Sequence, residues 1–227
     1  MWVICQRECK ELFKGVRPII IIIILLGLSY IIARLADSFP VIEELITLDM
    51  YTMGLSLPIL ILGLLFVFTL SHDTINKEVE SRTIRFLVTK TSRHKIIMGK
   101  LLGMLLFWLI IVTVSLFLIS IYAKTFYLST LVESMLFLLY AICLALLIST
   151  LVRRTRQSMF LGIAIALLLP AITGWAVLSN QFYIKWFKYV SPYYYLSIDQ
   201  PFSKLALLLL ASILLALSLF FFRKKDL

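Results

Sequence analysis

Residues 18–33 read PIIIIIILLGLSYIIA. A helix on the surface of a water-soluble domain keeps a polar face, and this run has none. About 20 predominantly apolar residues are needed to cross the hydrocarbon core of a bilayer. With its flanks, this run forms a first span of roughly 17–36. Five more stretches of the same kind follow, at roughly 51–71, 99–122, 131–152, 158–178 and 204–222. The predicted fold class is therefore all-α membrane protein with six transmembrane helices. Basic residues precede the first run as they do in a signal peptide. The run is long, however, lacks a clean small-x-small cleavage site and is followed by five more, so it reads as an uncleaved span.

Composition supports this class. The chain has 227 residues, 62% hydrophobic and only 15% charged, against about 25% charged in soluble domains. Six spans with modest connectors use this length, so 1–227 reads as a single transmembrane domain with no room for a soluble catalytic one. The net charge of +10 would suggest nucleic acid in a soluble protein. Here the basic residues act as topology signals and contacts to membrane lipids, and no nucleic acid is expected.

The distribution of positive charge orients the chain. Of 22 Lys and Arg, only Arg34, Lys124, Lys185, Lys188 and Lys204 fall in one set of alternate connectors. The rest fall in the other set and at the two ends. By the positive-inside rule, both termini and residues 72–98 are cytoplasmic, as expected in a bacterial inner or plasma membrane. Almost no charge lies mid-span. Glu133 and Arg34 sit near outer ends, and no buried carboxylate or His relay of an ion-coupled pump is evident.

Four segments outside the plain spans carry information. In residues 1–16, Trp2, Cys5, Cys9, Leu12, Phe13 and Val16 recur at helical spacing opposite a charged face. That pattern predicts an amphipathic helix in the membrane interface. Cys5, Cys9 and Cys143 form neither a disulfide framework nor a zinc set. Pro58 and Pro170 interrupt the second and fifth spans, as hinges beside a transport path or as ordinary irregularity. Residues 179–203 are crowded with aromatics, among them Trp186, Tyr193 and Tyr194, as in an interfacial aromatic belt. Gly99 and Gly103, four apart, form a weak small-residue helix-contact pattern. His72 and His94 read as interfacial residues.

The connector 72–98 is the most distinctive polar stretch, with Ile75, Val79, Ile84, Phe86, Leu87 and Val88 among charges. Thr91-Ser92 is a candidate N-cap for the third span. Glu80, Thr83-Ile84-Arg85, Ser92-Arg93 and Gly99-Lys100, in that order and spacing, resemble the first cytoplasmic loop of type-2 ABC exporter permeases. The closing Arg223-Lys224-Lys225-Asp226 is also similar to that family's tail. Arg82 stands where the family commonly has glycine, and Lys90-Thr91 where it has Pro-x.

The resemblance implies two paired permease subunits, identical or different, each seated on an ABC ATP-binding subunit that holds ATP and Mg. This chain would carry no cofactor and would not be an enzyme. The loop would be a coupling helix docked on the ATPase, with Glu78, Glu80, Thr83, Ile84, Arg85, Phe86, Ser92, Arg93 and Lys100 as coupling residues. Residues 179–203 would form short re-entrant helices broken at Ser191-Pro192, with Trp186, Tyr193 and Tyr194 at an outer gate. Cargo would be a peptide, a drug or a lipid-like molecule. The alternative is a membrane immunity or scaffold protein without transport. An intramembrane enzyme ranks last, because no P-loop, His-Glu-x-x-His, Gly-x-Ser-x-Gly or acidic metal cluster occurs.

Overall fold

A computed structural model describes residues 1–38, 50–81, 83, 89, 91–152, 154–178, 186–198 and 201–224. Among these the chain is helical and contains no strand. Helix α1 (Trp2–Lys14) precedes α2 (Val16–Ser38) and α3 (Met50–Ser71). A turn leads to the short α4 (Asn76–Glu80), and then come α5 (Arg93–Ala123), α6 (Leu128–Leu151) and α7 (Thr155–Leu178). A 3₁₀ turn (Trp186–Val190), α8 (Pro192–Leu196) and α9 (Pro201–Lys224) complete the order. Six of these helices (α2, α3, α5, α6, α7 and α9) are long and apolar enough to cross a membrane.

The six spans fall where the apolar runs predict them. The largest difference is α5, which begins at Arg93 rather than near 99 and runs for 31 residues. Hydropathy marks where the membrane starts, but nothing in His94-Lys95-Ile96-Ile97-Met98 stops a helix from starting earlier. Ser92, in extended backbone, holds the N-cap position, as the sequence suggests. Lys124 ends α5 in the left-handed region (φ 56°). That geometry turns the chain into α6 within a few residues.

The core is built on α3, α5 and α6. Phe68, Phe107, Trp108, Phe137 and Tyr140 are fully buried there. Helix α9 packs along α6, and α2 packs against both α3 and α5. Ile19, Ile20 and Ile23 on α2, Phe160 and Trp175 on α7, and Phe202 and Leu209 on α9 remain exposed. In lipid, apolar side chains gain nothing by leaving hydrocarbon, so helices associate through close packing and hydrogen bonds instead.

Both devices appear between α2 and α3. A Cβ on Gly54 would lie 2.8 Å from the Leu28 carbonyl oxygen and 2.9 Å from Ser29 Cα. Pro58 is buried inside α3 and has no N–H for the Gly54 carbonyl one turn back. The buried Ser29 hydroxyl donates to that carbonyl from α2 at 3.5 Å.

Helix α1 packs along α5 on the predicted glycine pair. A Cβ on Gly99 would meet Ile4 Cβ at 3.0 Å, and one on Gly103 would meet Glu8 Cβ at 2.8 Å and the Cys5 carbonyl oxygen at 2.9 Å. Cys5 is fully buried in this contact. Farther along, the Phe13 and Phe107 rings pack edge to face at 4.9 Å.

Candidate functional site

After α3 ends at Ser71, the chain folds back under the bundle and starts α4. A helix start leaves backbone N–H groups without partners. Here α6 satisfies them: Ser149 Oγ accepts from the N–H groups of Ile75 (3.0 Å) and Asn76 (3.3 Å). The Asn76 amide, oriented to satisfy both ends, donates to the Val152 carbonyl at 2.9 Å. From α7, Ser158 Oγ donates to the His72 carbonyl at 2.8 Å. Ile75, Asn76, Ser149 and Ser158 are fully buried. Ser149→Ala should therefore strand buried amides and lower stability by about 1–3 kcal/mol. Thermal unfolding in detergent measures the loss, and Ser149→Thr, which keeps the hydroxyl, should recover most of it.

The far side of α4 is fixed by charge. Lys100 Nζ donates to Glu8 Oε1 at 2.6 Å and to Glu78 Oε1 at 2.9 Å, with Lys100 only 2% exposed. One ammonium thus joins α1, α4 and α5. Glu78 Oε2 is buried with no hydrogen-bond partner among the described residues. Beside this triad lies a cavity of about 390 Å³, lined also by Arg7, Glu11, Asp73 and Lys77.

Glu80 closes the connector against α7. Its Oε2 accepts from Thr155 Oγ1 at 2.7 Å and from the Thr155 N–H at 3.4 Å. A carboxylate at a helix start complements the helix dipole. These hydrogen bonds hold the Glu80 carboxyl below the usual glutamate range. Thr83 is exposed, and its hydroxyl lies 2.8 Å from Ser81 Oγ. Arg93 does the converse at the other end of a helix: its guanidinium donates to the carbonyls of Phe222 (3.1 Å) and Arg223 (2.6 Å) at the end of α9.

The structure thus joins Glu78 directly to Lys100 and fastens Glu80 and Arg93 to separate helix ends. Ser92 is exposed just before α5. Ile84, Arg85 and Phe86 lie outside the described residues. Glu8, Asn76, Ser149, Thr155 and Ser158 complete the site, and sequence reasoning did not single them out. Only Glu8 had a local signal, as part of the polar face of the first helix.

At the opposite end of the bundle, the 3₁₀ turn and α8 meet at Ser191-Pro192. Trp186 is exposed. Tyr193 packs on Phe137 (5.5 Å) and Tyr194 on Tyr189 (5.5 Å). Tyr140 donates to the Val190 carbonyl at 2.9 Å, and the Thr173 and Ser191 hydroxyls pair at 2.7 Å. Residues 179–185 and 199–200 lie outside the described residues. Pro58 and Pro170 both sit within spans, in α3 and α7.

The six long apolar helices define a multi-pass membrane protein. The sequence model of the ABC-2 family transporter proteins matches residues 2–227. The chain belongs to that family, whose members are membrane permeases of ABC transporters and not themselves catalytic. Membership implies an ABC ATP-binding subunit as partner. No curated protein matches the sequence.

Proposed function

We propose that this chain is one of two paired permease subunits of an ATP-driven exporter and that the connector 72–98 transmits the work of a separate ATPase. Both termini and the connector face the cytoplasm, with α1 at the membrane surface and residues 179–203 closing the far side. ATP and Mg belong to the partner. Cargo is amphipathic or hydrophobic, such as a peptide, a drug or a lipid-like molecule. The whole of 1–227 acts as one permease domain.

The observation that carries this reading is the rigid mounting of α4. An element that converts an external push into helix movement must not slide on its own support. Helix α4 is held by Ser149 from α6, by Lys100 from α5 and through Glu80 by α7. A displacement of α4 would therefore reach three spans directly. Thr83 is exposed just beyond the clamp, where a partner can dock.

The test is assembly with an ATPase. The chain should co-purify with an ABC ATP-binding protein, and reconstituted ATP turnover should respond to Glu80→Ala or Arg85→Ala without loss of the complex. The absence of any physical or functional link to an ATPase would remove this reading and leave the immunity or scaffold alternative.

A further inference from the structure

A second cavity of about 390 Å³ lies at the opposite end of the bundle from the α4 clamp, between α3, α6 and α8. Its α6 wall is formed by Thr130, Glu133, Ser134 and Phe137. These positions share one face and descend about 10 Å along the helix. The wall therefore runs from polar at the helix start to aromatic below. The α3 wall is mainly apolar, with Ser56 set among Met53, Leu57, Ile59 and Leu60.

Two polar features remain to be matched. Glu133 Oε1 pairs with Lys204 Nζ of α9 at 2.8 Å, and both side chains stay about one-third exposed, at 38% and 34%. The pair therefore keeps free capacity, with a second carboxylate oxygen and further ammonium N–H groups. Tyr193 also lines the cavity. Its hydroxyl is buried and has no hydrogen-bond partner among the described residues, which in a native structure calls for an explanation.

We propose that this cavity is a binding site for a zwitterionic phospholipid with a primary-amine headgroup. Charge complementarity selects this occupant. Its ammonium group matches Glu133 and its phosphate matches Lys204, at the depth where α6 and α9 begin and headgroups lie. An ester carbonyl gives the Tyr193 hydroxyl its acceptor. One acyl chain then follows Ile59, Leu60 and Phe137 toward the bilayer centre. An anionic glycerol headgroup would satisfy Lys204 but set its charge beside Glu133. A choline headgroup has the right charges but no N–H to donate to the carboxylate. The site is independent of any ATPase.

Native mass spectrometry of the purified chain, offered ethanolamine, choline and glycerol phospholipids with identical acyl chains, tests the proposal. The ethanolamine lipid should be retained about tenfold better than the glycerol lipid, as expected for one or two charge-assisted hydrogen bonds. Glu133→Gln should erase that preference. Tyr193→Phe should weaken retention of every headgroup, with thermal unfolding and helix content reporting that the chain is intact. Ser197→Trp, at the cavity wall, gives a second reading through a residue outside the charge pair, and it should displace the lipid without altering helix content. Equal retention of all three headgroups by the unaltered chain would overturn the proposal. So would a preference unmoved by Glu133→Gln and Ser197→Trp.

Discussion

Lys100→Met is expected to destabilise the chain by about 3–5 kcal/mol, the usual penalty for removing one partner of a buried ion pair. Lys100 is 2% exposed and the Glu8 and Glu78 side chains are 16% and 15% exposed. Without the ammonium, two largely buried carboxylates face each other with their shared counter-charge gone. Glu78 Oε2 already has no hydrogen-bond partner among the described residues. The penalty belongs to the stranded charges, so it should largely vanish when they are neutralised. Thermal unfolding in detergent of Lys100→Met, of Glu8→Gln/Glu78→Gln and of the triple variant closes the cycle. Lys100→Met should be the least stable of the three, with the triple variant well above it. A Lys100→Met chain that unfolds where the unaltered one does would show that the triad does not hold these helices together.

Gly103→Val is expected to lift α1 from α5. The first added carbon alone would sit 2.8 Å from Glu8 Cβ and 2.9 Å from the Cys5 carbonyl oxygen. The carbonyl belongs to a helix backbone and cannot rotate away as a side chain can. Overpacking of this kind usually destabilises by about 1–3 kcal/mol. Here the displaced helix also draws Glu8 off Lys100, so the effect should exceed that range. Cys5 reports the movement, because it is fully buried under α1 in the native contact. In a Cys9→Ser background, maleimide should leave Cys5 unlabelled in the parent and label it rapidly in Gly103→Val. Equal protection of Cys5 in both would contradict the close contact.

The two substitutions mark the limit of what the sequence could reveal. Span number and position follow from composition in a window of about 20 residues, so they are readable without knowing any contact. The Gly99–Gly103 pair was visible as a contact surface, but its partner was not, because spacing along one helix does not name the helix that packs on it. The ion triad joins residues 92 and 22 positions apart. Lys100 and Glu78 were singled out only by their place in a family-like loop, and Glu8 only by its helical face. Ser149 gave no signal: a serine in a span looks like any small residue until a neighbouring helix start is found beside it. The start of α5 at Arg93 was legible only from Thr91-Ser92 as an N-cap, because a helix that emerges from the bilayer loses its hydropathy mark before it loses its hydrogen bonds.

The bond from Ser29 to the carbonyl that Pro58 leaves open bears on how the protein is made. Alone in hydrocarbon, α3 would hold a bare backbone oxygen with no water to meet it. With α2 alongside, that oxygen has a donor and the Gly54 notch is filled. The first two spans should therefore leave the translocon as a preassembled hairpin, and Ser29→Ala should slow membrane integration of the second span more than that of the first.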